Sequence, residues 1–176
     1  MKLLYNIMKE TSHADQSRRG RALAKLLFDE YSIDGDIEIY ENGKPYIKGR
    51  SDVDFNITHS AEFVGCVLSV GEGRVGIDAE RIEGAVPKER QGAFIKRFFS
   101  PAEQKAIQEG KYSFSELWTR KEAYLKMLGI GISAKLADID TLSLPVRFYM
   151  FCLEGYTVSV CTERDAEIII EKRLLR

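Results

Sequence analysis

Apolar positions recur along this chain with two different periods, and the switches between them divide it into elements. Residues 3–7 read as a first strand, and residues 14–31 as a helix in which Leu23, Leu26, Leu27 and Tyr31 return at helical spacing. Residues 37–40 and 55–58 are short strands, and between them Asn42-Gly43 followed by Lys44-Pro45 marks a turn or loop. The β-rich runs 63–70 and 75–81 are joined by Gly71-Glu72-Gly73-Arg74, which predicts a hairpin with glycine available for positive φ. Ser100-Pro101-Ala102-Glu103 has the form of a capping box with Pro at the first helical position, starting a helix toward Gln108. A longer helix follows over 114–128 and is stopped by Gly129, with Gly131 close behind. Residues 148–153, 156–161 and 167–172 read as three strands, the first two joined around Glu154-Gly155.

This order of elements predicts an α+β fold, with an N-terminal lobe over 1–85 and a C-terminal lobe over 86–176 forming one compact unit. No strict sequence repeat supports the lobes. At 176 residues with 44% hydrophobic content, the chain is long enough to bury a core. Lys+Arg 26 against Asp+Glu 27 leaves a net charge of -1, so no global basic field draws the molecule to nucleic acid or an anionic membrane. Any anion site must be local. Cys66, Cys152 and Cys161 form no C-x-x-C pair, which suggests neither a disulfide framework nor a zinc site. The N-terminal apolar run is too short for a signal peptide and no stretch approaches a membrane span, so a soluble cytoplasmic protein is expected.

In Val75-Gly76-Ile77-Asp78-Ala79-Glu80, the strand period of two places Val75, Ile77 and Ala79 on one face and Asp78 and Glu80 on the other. Two strand rises separate the carboxylates by about 6 to 7 Å, close enough for both to reach one Mg²⁺. An isolated D-x-E is also the solvated face of an ordinary hairpin. In the helix over 114–128, Leu117, Trp118, Tyr124, Leu125 and Leu128 share one arc of the wheel, and Lys121 falls inside it. A lysine there implies snorkelling or an anion held nearby. Glu122 lies at the edge of that stripe with Lys126 one turn on, an arrangement that is equally an ordinary i, i+4 pair. Together the three carboxylates and two lysines supply what a site for magnesium and a breaking pyrophosphate requires. Asn42-Gly43-Lys44-Pro45 adds a lysine in a stiffened loop, and Phe55-Asn56-Ile57-Thr58-His59-Ser60 a histidine at a strand end, which is also a common hydrogen-bonded turn residue.

The blocks G-K-P, F-N-I-T-H-S, V-G-I-D-A-E, R-F-F-S-P-A-E and L-W-T-R-K-E-A-Y-L-K-M-L-G resemble, in order and spacing, the surfactin-type 4'-phosphopantetheinyl transferases, from about Gly43 to Ser133. That resemblance implies a pseudo-two-fold pair of similar α+β lobes with the active site between them. It implies a transfer of the 4'-phosphopantetheine group of coenzyme A to a serine of an apo acyl or peptidyl carrier protein, releasing 3',5'-ADP. It assigns Asp78, Glu80 and Glu122 to Mg²⁺, with Asp78 also toward the coenzyme A pyrophosphate. Lys44 and His59 are assigned to the 3'-phosphate, Pro45 and Thr58 to positions beside the nucleotide, and Lys121 and Lys126 to the pyrophosphate. Glu122, directly or through a metal-bound water, is the candidate base for the serine hydroxyl, with Lys121 and Lys126 completing the catalytic set.

Residues 82–99 follow the acidic strand where the family meets its carrier, and Lys88, Arg90, Lys96 and Arg97 are candidates for an acidic partner. An amphipathic helix packed on its own core explains Phe94, Phe98 and Phe99 equally well. The chain is shorter than is usual for two-lobed members, its N-terminal region matches poorly, and Thr58 stands where serine is common. The roles of Arg18, Arg19 and Arg21 stay open. A monomer is expected, since one chain supplies both halves of the site. The alternatives are a magnesium-dependent phosphohydrolase built on the same acids, and a non-catalytic module binding coenzyme A or a carrier.

Overall fold

A computed structural model of the chain describes residues 1–8, 12–82, 86, 88–131 and 136–175, the side chains of Lys88 and Glu89 excepted. The boundary expected at residue 85 and Ser133, the end of the family resemblance, lie outside the described residues. The strands are β1 (Lys2–Ile7), β2 (Ile37–Ile39), β3 (Pro45–Ile47), β4 (Val53–Ser60), β5 (Phe63–Val70), β6 (Val75–Arg81), β7 (Arg147–Leu153), β8 (Tyr156–Thr162) and β9 (Ile169–Lys172). The helices are α1 (His13–Glu30), α2 (Lys88–Phe98), α3 (Pro101–Gln108) and α4 (Phe114–Leu128), with a 3-10 turn at Leu136–Asp138.

Two sheets stack face to face between helices. The first has strand order β4-β5-β1-β9, the second β6-β8-β7, and β2 and β3 form a separate pair. Period-two alternation splits the first sheet's side chains. Leu4, Phe55, Val64, Cys66 and Leu68 pack against Leu23, Leu27 and Phe28 of α1, and Leu3, Tyr5, Phe63 and Val67 face Val75, Ile77, Ala79, Val158 and Val160 of the second sheet. On that sheet's outer face lies α4, where Ala123 and Met127 pack on Cys161. The expected α+β fold is present.

The expected hairpin between residues 63–70 and 75–81 does not form. β5 pairs with β1 and β4, whereas β6 pairs with β8. Gly71 and Gly73, at φ 72 and 92, carry the chain out of the first sheet into the second. The apolar faces of β5 and β6 then meet across the interior instead of lying edge to edge. A cut at residue 85 would also leave β6 apart from its partner β8, and β9 apart from β1, with which it pairs in parallel.

Pro45, read from the sequence as part of a turn or loop, opens a strand, Pro45–Ile47, that pairs with Ile37–Ile39. The capping box of α3 is present with Ser100 as N-cap, and α4 has another, built by Ser113 and Glu116. Gly129 ends α4 in the left-handed conformation at φ 70. Among the described residues no helix is long and apolar enough to cross a membrane.

Candidate active site

The acidic strand β6 is an edge strand, and β4 covers its open side with polar side chains. Asp54, Asn56, Thr58 and Ser60 stand at every second position of β4, away from the α1 core. Asp54 Oδ2 accepts from Val75 N at 2.8 Å and Asn56 Oδ1 from Ile77 N at 3.1 Å. Further along, the Thr58 hydroxyl donates to Asp78 Oδ1 at 3.3 Å and the Ser60 hydroxyl to Glu80 Oε2 at 3.1 Å. Backbone groups that an edge strand leaves unpaired are satisfied here by side chains, so β6 sits at a fixed depth beside β4.

From the other direction α4 presses on the face that carries Gly76, Asp78 and Glu80. A Cβ on Gly76 would lie 2.1 Å from the Ala123 carbonyl oxygen and 2.4 Å from Met127 N, so only glycine permits this approach. Glu122 and Lys126 are thereby brought beside the acidic strand. Lys126 Nζ lies 2.5 Å from Asp78 Oδ1 and donates to the Thr58 hydroxyl at 3.1 Å. The alternative pairing of Lys126 with Glu122 is absent among the ion pairs of the described residues.

Burial pushes the Asp78 carboxyl above its ordinary range, against the pull of Lys126. Glu80 is raised by burial and by the charge of Asp78. Glu122 is pushed up to about 7 by burial, then by Asp78 and Glu80. Three carboxylates therefore sense one another in a partly dry site, the condition under which acids acquire chemical roles. Among the described residues, Asp78 Oδ2 and Glu122 Oε1 are buried without a hydrogen-bond partner. Hard carboxylate oxygens with lone pairs not engaged in hydrogen bonds fit a small divalent cation such as Mg²⁺. Among the described residues no three Asp, Glu, His or Cys side chains stand ready-made in a metal-ligating arrangement; Lys126 and Ser60 each engage one oxygen of Asp78 and Glu80. A cavity of about 300 Å³ opens beside this cluster, lined by Gly43, Pro45, Asn56, Ile57, Glu122 and Lys126.

Not every residue singled out in the sequence joins the cluster. Asp78, Glu80, Thr58, Glu122 and Lys126 do, and Pro45 lines the cavity. Lys44 does not offer a free charge to a phosphate. Its ammonium lies 2.6 Å from Asp54 Oδ2 and donates to Met127 O at 3.1 Å and Val75 O at 3.3 Å, which commits its three protons. Lys121 is corrected for the same reason. It is wholly buried, paired with the equally buried Glu103 at 2.7 Å, and donates to the carbonyls of Leu136 and Ile139. The anion implied by its place on the helical wheel is Glu103.

His59 is exposed on the opposite face of β4 from Thr58, with its ring edge-to-face against His13 at 5.2 Å. Partial burial, then His13 and Lys126, hold its pKa below the ordinary value. Arg19 donates to Asn6 Oδ1 at 3.1 Å and Arg18 pairs with Asp15 at 2.7 Å. Phe94, Ile95 and Phe98 pack on the core of Phe99, Phe114 and Leu117, as the amphipathic-helix reading has it, while Arg90, Lys96 and Arg97 are exposed. The Lys88 side chain lies outside the described residues.

Gly76, Ser60, Asp54 and Glu103 are site-building residues that sequence reasoning did not select. The alternation D-x-N-x-T-x-S in β4 was a legible signal for a polar face, and the capping box marked Glu103.

A mixed α+β protein whose carboxylate cluster sits where a helix crosses an edge strand is thus defined. A model of the 4'-phosphopantetheinyl transferase superfamily matches residues 74–168, and the chain belongs to that family. It is 36% identical over 104 residues to a 4'-phosphopantetheinyl transferase of Bacillus subtilis, covering 56% of this chain and 43% of that protein. With one from Aneurinibacillus migulanus it shares 40% over 92 residues, 52% of this chain and 37% of the other. With one from Bacillus pumilus it shares 32% over 166 residues, 80% of this chain and 67% of the other. The chain spans less than half the length of the first two of these relatives.

Proposed function

We propose that this chain transfers the 4'-phosphopantetheine arm of coenzyme A to a serine of an apo acyl or peptidyl carrier protein, in a magnesium-dependent reaction that releases 3',5'-ADP. The observation that supports the reading is that Glu122, lining a cavity, feels the charges of Asp78 and Glu80, while Asp78 Oδ2 and Glu122 Oε1 are buried with no hydrogen-bond partner among the described residues. Membership of the family supports it.

Asp78, Glu80 and Glu122 would hold the magnesium ion, and when bound it supplies positive charge at the pyrophosphate. Glu122, which lines the cavity beside Lys126, is placed to take the proton from the carrier serine. The serine oxygen then bonds to the β-phosphorus of coenzyme A, and the bond from that phosphorus to the bridging oxygen breaks, with the electron pair leaving on 3',5'-ADP. Lys126, at the mouth of the cluster with a partly exposed side chain, stabilises the charge that develops on the phosphoryl oxygens. The two-lobed division near residue 85, a monomeric state and a cytoplasmic, coenzyme A-containing setting belong to the same proposal.

The test is incubation with coenzyme A, Mg²⁺ and an apo carrier protein, followed by mass spectrometry of the carrier. A gain of one phosphopantetheine that disappears with EDTA is expected. Phosphate release from simple esters with no gain on several carriers would overturn the reading.

A further inference from the structure

The ion pair between Lys121 and Glu103 is not needed to close a helix or to fill a void. A capping box requires only that Glu103 reach back to Ser100 N, which its Oε2 does at 2.8 Å. The same Oε2 also takes the Lys121 ammonium at 2.7 Å, and Oε1 accepts from Thr141 N at 3.1 Å and from the Thr141 hydroxyl at 2.7 Å. One wholly buried carboxylate thus joins the start of α3, the middle of α4 and the segment after the 3-10 turn. Lys121 closes the figure by donating to the carbonyls of Leu136 and Ile139. Its neighbour Arg120 holds the Thr141 carbonyl at 2.8 Å and lies over the Phe148 ring at 4.4 Å.

We propose that this pair is a positioning device that fixes the rotation of α4 about its axis and so aims Glu122 at the acidic strand, with Lys121 itself never touching the nucleotide. Successive residues of an α-helix differ in direction by about 100°, so pinning Lys121 on one side determines where Glu122 points. Apolar contacts tolerate sliding and rolling. A dry ion pair does not, because a roll that parts the charges leaves both uncompensated. The contact at Gly76 sets how closely α4 approaches β6 near Ala123 and Met127, and the Lys121–Glu103 pair sets which residue faces the strand there. Misplacing a reacting group by about 1 Å can cost on the order of 100-fold in rate.

The role in catalysis rests on the transferase reading of Glu122, and two readouts keep the ideas separable. Glu103→Gln, Lys121→Met and the double variant, which carries no buried charge at this place, are assayed for carrier modification at varied coenzyme A, well below their melting temperatures. The expected result is a kcat lower by about 10- to 100-fold in either single variant, KM for coenzyme A within about twofold of the unsubstituted protein, and a double variant no worse than the poorer single one. A KM for coenzyme A raised about tenfold or more in Lys121→Met, with Glu103→Gln near normal, would make Lys121 a nucleotide ligand and overturn the proposal. An unchanged kcat in all folded variants would reduce the pair to a core contact, with the same consequence.

Independently of turnover, hydrogen exchange read by mass spectrometry should quicken in α4 peptides of Glu103→Gln while β1 and β5 stay protected. Unaltered exchange in α4 overturns the device. Absence of transfer by the unsubstituted protein counts against the transferase reading alone, and the exchange result still decides the pair. Should Glu103→Gln fail to fold, the uncharged double variant carries both measurements.

Discussion

Lys126 Nζ stands 2.5 Å from Asp78 Oδ1, while the second oxygen of the same buried carboxylate has no partner among the described residues. One half of Asp78 is neutralised by the chain itself and the other half is available to a second positive charge. The Thr58 hydroxyl, bonded to both Asp78 and Lys126, keeps the carboxylate from rotating.

Replacing Lys126 by Met should therefore harm both stability and chemistry. The loss of a partly buried counter-charge is expected to cost about 2 kcal/mol in urea unfolding, below the 3–5 typical of fully buried pairs because the lysine is partly exposed. Carrier modification should fall by at least about 100-fold if, as proposed, the same lysine stabilises charge on the phosphoryl oxygens. A variant that loses stability and retains full kcat would remove Lys126 from the catalytic set.

The acid cluster gives a pH dependence with a definite sign. Glu122 titrates at about 7 in the folded protein against an ordinary 4.5, so between these values the native state holds a proton that the unfolded chain has released. The metal-free protein should lose stability as pH rises through that window, with the raised Asp78 and Glu80 acting in the same direction. Urea midpoints measured at pH 5 and pH 8 check this, and Glu122→Gln should shrink the difference while abolishing transfer. An equal difference in that variant would assign the effect elsewhere. Mg²⁺ added at pH 8 should raise the melting temperature of the unsubstituted protein more than that of the variant.

Gly76→Ala places a methyl 2.1 Å from the Ala123 carbonyl oxygen and 2.4 Å from Met127 N, both backbone atoms that cannot swing aside. Either α4 lifts from β6 or the strand bends, at a cost of about 3 kcal/mol by analogy with overpacked cores. Thermal unfolding should show a large drop, and Mg²⁺ affinity measured by calorimetry should weaken even where the variant folds. Unaltered stability would mean that α4 does not rest on β6 as described.

Lys44→Met should act on stability and not on coenzyme A recognition. Its removal strands Asp54, which burial already pushes above its ordinary range, and frees the carbonyls of Val75 and Met127. A loss of about 3 kcal/mol is expected with KM for coenzyme A unchanged within about twofold. A rise in KM that vanishes with 3'-dephospho-coenzyme A would restore Lys44 to the phosphate.

The sequence was legible wherever local chemistry decides conformation. Ser100-Pro101-Ala102-Glu103, the glycine stop at Gly129 and the alternation in 75–81 each specify their element without help from distant residues. It was illegible where two strands chose partners. Gly71 to Arg74 reads as a hairpin connection, yet β6 has an apolar face complementary to β5 and a backbone ladder complementary to β8, a choice made by residues 75 to 87 positions away. Lysines posed the same difficulty. Lys44, Lys121 and Lys126 look alike in sequence, and only the distant acids Asp54, Glu103 and Asp78 distinguish a structural ammonium from one beside the site.

The parallel pairing of β9 with β1, Lys2 beside Ile169 and Tyr5 beside Lys172, bears on how the molecule is made. Lys2 and Ile169, 167 positions apart, must meet before the first sheet is complete, and β6 likewise waits for β8. Neither sheet is completed by pairings between neighbours in sequence alone, so folding requires long loops to close together, which slows it and makes it cooperative.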